Sequence, residues 1–183
     1  KRLAEELGIH CYDHEIIELI AKEHGFDERY VANISEKCIE AAYPTTIGHR
    51  FAMPPVQIMD QGFQVAAAQQ QIIENFAKQG DCVIIGRCAD YALKDRDDVI
   101  NLFITAPLEN RIKRVAARNG ISENEAKDRI KKTDKSRASY YNYYSAKDWG
   151  DAKSYDLCID SSLLGIDGTV ELLKDLIRIK GIK

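Results

Sequence analysis

No stretch of these 183 residues is apolar for long enough to cross a bilayer as a helix, and none has a signal-peptide pattern. No C-x-x-C pair occurs either. The five cysteines, Cys11, Cys38, Cys82, Cys88 and Cys158, are odd in number and scattered, which argues against a disulfide framework or zinc centre and for buried thiols in a reducing compartment. The four histidines, His10, His14, His24 and His49, show no metal-ligand spacing. G-x-S-x-G, H-E-x-x-H and G-x-x-x-x-G-K-[ST] are all missing, so these residues hold no serine-hydrolase elbow, zincin helix or Walker-type phosphate loop. Proline is scarce, and three of the four, Pro44, Pro54 and Pro55, fall in one short stretch. A net charge of only -3 gives no strong general attraction to nucleic acid or to an anionic membrane.

What is present fits one soluble α/β domain, with 45% hydrophobic and 30% charged residues. The charge is unevenly spread. From Arg111 to Arg137 there are ten Lys/Arg against four Asp/Glu, a local +6, so the rest of the chain carries -9. A basic block in an acidic protein suggests a compact anionic ligand; a solvated pair of helices has the same composition.

Strand-like and helix-like segments alternate. Residues 1–8 have a helical pattern, with Leu3 and Leu7 on one face and Gly8 as a stop, but no capping residue precedes them. The pattern therefore predicts a helix that begins upstream of Lys1. A short strand is expected over 9–12. Asp13 is then expected to cap a helix that turns Ile16, Ile17, Ile20 and Ala21 inward and stops at Gly25. Asp27 opens another helix to about 42, and 44–55 reads as a loop. A long helix over 56–79 carries a glutamine-rich surface that includes Gln64, Gln69 and Gln70. The apolar runs 82–85, 99–104 and 155–160 read as further strands. A helix from Pro107 to Arg118 is followed by Ser122-x-x-Glu125, a capping box for the basic helix; a closing helix spans about 167–179. This order predicts a parallel sheet with helices on both faces.

Ligands in open α/β sheets bind beyond the carboxyl ends of the strands. Here those ends deliver Asp13-His14-Glu15, Gly86-Arg87 with Asp90 one turn on, Thr105, and Asp160-Ser161-Ser162. Glycine before Arg87 lets backbone approach a ligand, and a guanidinium fork suits a phosphate. The competing reading pairs Arg87 with Asp90 or Asp13. In the basic helix, Arg129, Lys131, Lys132, Asp134, Lys135 and Arg137 could form a cationic lid over polyphosphate, which phosphoryl transfer requires; Asp134 and Arg137 could equally pair with each other. The tyrosines at 140, 141, 143 and 144 read as a packing surface, with one ring able to stack on a base.

In this order, Leu3-Ala4-Glu5-Glu6-Leu7-Gly8, Tyr12-Asp13, Val83-Ile84-Ile85-Gly86-Arg87-Cys88-Ala89-Asp90-Tyr91, Asp134-x-x-Arg137-x-x-Tyr140-Tyr141, Trp149-Gly150 and Tyr155-Asp156-Leu157-Cys158-Ile159-Asp160-Ser161 resemble the cytidylate kinase-like family of P-loop nucleoside-monophosphate kinases. The resemblance covers nearly the whole chain. It implies a three-layer α/β/α fold of P-loop kinase type with a parallel sheet, whose first strand and P-loop are absent from the residues shown. It implies a single domain over 1–183, a helical acceptor-binding excursion over 27–79 and a basic lid over 122–150. It also implies transfer of the γ-phosphoryl group of ATP, with Mg²⁺, to a nucleoside monophosphate, CMP or dCMP, in the cytoplasm, with no nucleic-acid or membrane partner. Arg87, Arg137 and Lys132 become the candidate catalytic cations. Asp13, Arg87, Asp90, Asp134 and Arg137 fall on the acceptor side, and Arg114 and Arg129 toward ATP. Two positions depart from the family pattern. Cys88 stands where an aspartate usually follows the arginine, and Ile130 where an arginine usually precedes the lid aspartate. They keep open a kinase for another small metabolite, or a non-catalytic nucleotide-binding domain.

Overall fold

A computed structural model describes residues 1–25, 27–29, 31–32, 45–47, 50–52 and 56–181. Helix α1 (Arg2–Leu7) ends at Gly8, whose φ of 66° supplies the left-handed stop expected of it. Strand β1 (His10–Tyr12) follows, then α2 (Glu15–His24). The N-cap of α2 is His14, without a side-chain cap bond, so the expected Asp13 cap does not form. Asp13 instead pairs with Lys1, 2.9 Å away. The region expected as a loop contains an antiparallel hairpin, β2 (Thr45–Ile47) with β3 (Arg50–Ala52). The helix expected over 27–42 lies outside the described residues beyond Ala32.

The long helix α3 (Val56–Gln79) leads to β4 (Cys82–Ile84) and a short helix, α4 (Ala89–Ala92). Then come β5 (Leu102–Thr105), α5 (Leu108–Asn119), α6 (Glu123–Ser145), β6 (Leu157–Asp160) and α7 (Ser161–Lys180). Ser122 caps α6 by accepting from the Glu125 amide at 3.2 Å. The basic segment and the tyrosine cluster thus lie on one continuous helix. The closing helix starts earlier than expected, capped by Asp160 through the Ser162 amide at 2.8 Å and interrupted at Gly165.

Strands β1 and β4 pair in parallel, with Cys11 opposite Val83, and β5 and β6 pair in parallel, with Phe103 opposite Cys158. Consecutive residues of β4 face opposite helical layers. Val83 packs with Leu3, Ile159, Val170 and Leu173, joining α1 and α7 to β6, and Leu102 of β5 reaches the same cluster. Ile84 packs into the larger core of Ile16, Ile17 and Ile20 from α2 and Val65, Ile73 and Phe76 from α3. A third cluster, Cys88, Tyr140 and Tyr141 with Tyr91, Tyr144, Trp149 and Tyr155, surrounds the turn after β4. Among the described residues, no helix is long and apolar enough to cross a membrane.

Candidate active site

The turn after β4 has an unusual backbone. Gly86, Arg87 and Cys88 are consecutively left-handed, with φ of 69°, 58° and 52°. Glycine takes this conformation freely, whereas each of the other two incurs about 1–2 kcal/mol of strain. Non-glycine residues keep such geometry only where their surroundings impose it, and those positions cluster at ligand sites. Here the Ala89 amide donates to Gly86 O at 3.1 Å, and the Tyr91 and Ala92 amides donate to Cys88 O at 3.0 Å. Burial holds the Cys88 side chain among the tyrosines and pushes its thiol up to about 12, so it is a packing group and not a nucleophile.

Arg87 is half-buried at the carboxyl end of β4. Among the described residues, no carboxylate lies within ion-pair distance of its guanidinium. The two acids that competed for it are engaged elsewhere: Asp13 with Lys1, and Asp90 with the Tyr141 hydroxyl, which donates at 2.7 Å, and with Lys147 at 3.7 Å. Burial first, and the Asp90 carboxylate next, raise the Tyr141 hydroxyl far above its ordinary range, so it remains a donor at all working pH.

Helices α5 and α6 form an antiparallel hairpin. Arg111 bridges them with a bidentate fork to Asp134, at 2.7 and 2.6 Å. Asp134 is therefore tied to α5 and not to Arg137. Arg137 lies seven residues after buried Ile130 and four before buried Tyr141, on the stripe that also buries Ala126, yet it is exposed. Among the described residues, the inward stripe of α6 thus carries one exposed side chain, at Arg137. Arg114 on α5 and Arg129 and Lys132 on α6 are exposed as well, with no ion pair among the described residues. The group Asp160-Ser161-Ser162 is consumed in structure: Asp160 caps α7, and Ser161 Oγ donates to Thr105 O at 2.9 Å, tying the ends of β5 and β6 together.

Two residues with a structural part here, Arg111 and Gln69, and one side-chain cluster were not foreseen from the sequence. Arg111 was hidden within the basic block. His14, Glu18 and Glu28 bring ligand atoms within 4.8 Å of one another, though all three are exposed. Gln69, expected on the glutamine-rich surface, is only 3% exposed. Its amide nitrogen donates to Arg87 O at 2.8 Å and to the Tyr140 hydroxyl at 3.0 Å. The signal was its spacing, four residues after Val65 and four before Ile73, both core residues.

The sequence profile of the cytidylate kinase-like family matches residues 1–163. A cytidylate kinase from Methanopyrus kandleri is 29% identical over 95% of this chain and 82% of its own length. One from Thermococcus kodakarensis is 38% identical over 54% of this chain, a match that spans 50% of that relative. A crystal structure of an uncharacterized protein from Eubacterium ventriosum aligns with a TM-score of 0.65 at 28% identity, covering 99% of this chain and 86% of that one. The matched residues include the β4 turn, the α5–α6 hairpin and the tyrosine cluster, and by them this chain belongs to the cytidylate kinase-like family.

Proposed function

We propose that the protein is an ATP-dependent phosphotransferase that delivers a phosphoryl group to a nucleoside monophosphate, CMP or dCMP. The observation that carries this reading is Arg87: a half-buried arginine at a strand's carboxyl end, held by a strained turn and left without a carboxylate partner among the described residues. An unpaired cation in that setting is suited to an anionic ligand. Arg87 holds the acceptor phosphate, with Asp13 and Asp90 bordering the acceptor side. Arg137, the exposed side chain on the α6 stripe, meets the phosphoryl group in transit, and Lys132 adds charge beside it. Asp134 acts through Arg111, fixing the helix on which Arg137 stands.

Bound ATP with Mg²⁺ supplies the phosphoryl group. The free cations Arg114, Arg129 and Lys132 fit its polyphosphate, and their part is to neutralise and orient it. The helical layers on both faces of β4 are the basis for a three-layer P-loop kinase arrangement. Residues 27–79, part of which lie outside the described residues, are assigned to acceptor binding and 122–150 to the lid.

The test is a coupled assay of the full-length protein with ATP, Mg²⁺ and a panel of monophosphates. Turnover of CMP or dCMP is expected, and Arg87→Ala should lower kcat/KM by about a hundredfold or more, as loss of a charge-assisted phosphate contact does. Inert CMP and dCMP beside another active acceptor would overturn the specificity. One observation favours that second reading, a kinase for a different small metabolite: the buried, protonated Cys88 offers no charge where the family usually places an aspartate.

A further inference from the structure

Gln69 is a buried polar side chain on α3, the helix whose Val65, Ile72 and Ile73 belong to the main core, and its partners are a backbone carbonyl and a tyrosine hydroxyl of the third cluster. Its amide orientation is fixed by chemistry: the reverse assignment would set two acceptors, Oε1 and the Arg87 carbonyl, 2.8 Å apart. The consequence is that Oε1 is buried with no hydrogen-bond partner. A buried orphan acceptor is unfavourable, and a leucine or methionine would avoid it. The amide is therefore explained by its donor side.

That donor side meets two things. One is the carbonyl of Arg87, between two left-handed non-glycine residues. The peptide joining Arg87 to Cys88 sets ψ of the first and φ of the second, so a bond to this carbonyl restrains both, and with them the direction in which the Arg87 side chain leaves the backbone. Packing at this point is incomplete, since Gln69, Arg87, Cys88 and Tyr140 border a pocket of about 50 Å³. The other is the hydroxyl of Tyr140, one turn of α6 after Arg137. One amide thus joins the turn that carries Arg87 to the helix that carries Arg137.

We propose that Gln69 is a positioning residue: its amide nitrogen aims Arg87 at the acceptor phosphate and sets it in register with Arg137. This rests on the reading of Arg87 as the acceptor-phosphate ligand. Gln69→Met keeps the length and apolar packing but removes the donor. Gln69→Glu removes the donor only while the carboxyl is ionised; protonated, it can again donate to the Arg87 carbonyl, and burial beside a carbonyl favours that form.

The experiment measures CMP binding by calorimetry, and KM for CMP and for ATP, on the full-length protein and on Gln69→Met, Gln69→Glu, Tyr140→Phe and Arg87→Ala. Gln69→Met is expected to raise Kd and KM for CMP about tenfold, the worth of one well-placed buried hydrogen bond, with KM for ATP within about twofold of the parent. Gln69→Glu should be at least as impaired at pH 8 and should approach the parent, compared at the same pH, as the pH falls toward 5.5. A residue that merely filled space would show neither the selectivity for CMP nor the recovery. Tyr140→Phe, which leaves the bond to Arg87, should raise KM for CMP about threefold, and it carries the test if Gln69→Met does not fold. Folded Gln69 variants that bind CMP like the parent, or that lose ATP and CMP equally, would overturn the proposal. If Arg87→Ala is crippled while the Gln69 variants are intact, the proposal fails alone; if Arg87→Ala binds CMP normally, the functional reading fails with it.

Discussion

The bridge between Arg111 and Asp134 can be tested independently of any substrate. Two charge-assisted bonds of 2.7 and 2.6 Å join α5 to α6, and the side chains are 27% and 26% exposed. Opposite charges about 4 Å apart attract by roughly 4 kcal/mol at an effective dielectric constant near 20, before desolvation is subtracted. Fully exposed pairs retain ~0.2–1 kcal/mol, and breaking a fully buried one is far more damaging. A bidentate pair one-quarter exposed falls between, at a coupling of about 1–2 kcal/mol. The double-mutant cycle of Asp134→Asn and Arg111→Gln, read from urea unfolding midpoints, measures this coupling, and each single change should lower Tm by about 3–6 °C. Raising ionic strength to about 1 M should shrink the coupling only in part, because the pair is shielded from solvent. A coupling below about 0.3 kcal/mol would refute the reasoning. If Asp134→Asn also weakened CMP binding tenfold at unchanged stability, Asp134 would be a direct substrate ligand and not a tie between helices.

Two further outcomes follow from local geometry. Gly150 has φ of 82°, and a Cβ there would sit 3.2 Å from the Phe103 ring, so Gly150→Ala should destabilise by about 1–3 kcal/mol in urea unfolding; a change under about 0.5 would mean the turn relaxes freely. The folded state holds the Cys88 proton more tightly than the unfolded chain does, so this residue's contribution is present below about pH 9 and is lost as pH rises toward about 12. Unfolding free energies of the parent and Cys88→Ala should converge over that window, and parallel profiles would contradict the burial argument.

The four strands of the parallel pairs were legible because they are compact apolar runs bounded by turn residues, and α6 because Ser122 and Glu125 announce its start. Arg87 was legible as a candidate, since a glycine-arginine pair directly follows the apolar run of β4, though a salt bridge to Asp13 or Asp90 was the competing reading. Its left-handed backbone was not, because nothing in the residue type marks it. The Asp13 cap failed because cap preference is local, and Lys1 competes for the carboxylate from another element. The β2–β3 hairpin was masked by flanking prolines, although Thr45-Thr46-Ile47 and Arg50-Phe51-Ala52 around Gly48-His49 carry a two-residue hairpin signature. Gln69 was misplaced because it was sorted by polarity, when its position on the helix decided its burial. The Arg111 pairing spans two helices, and composition could not choose it among the many cations nearby.

If α6 is the lid proposed above, the two tyrosine contacts toward its C-terminal end also set how far each cation would travel. Tyr140 is joined to Gln69, and Tyr141 to Asp90, so this end of the helix is fastened to the core. On that proposal the rest, with α5 tied to it through Arg111 and Asp134, is a lever. At about 1.5 Å per residue, Glu123 lies about 26 Å from the anchor, and a pivot of roughly 10° there would sweep it through about 4–5 Å. Arg129 would move about 3 Å. Arg137, within one turn of the anchor, would move less than about 1 Å. On the lid proposal the helix would divide its charges into a stationary one near its anchored end and travelling ones toward its tip, and so separate, along a single rod, the charge that waits in place from the charges that arrive.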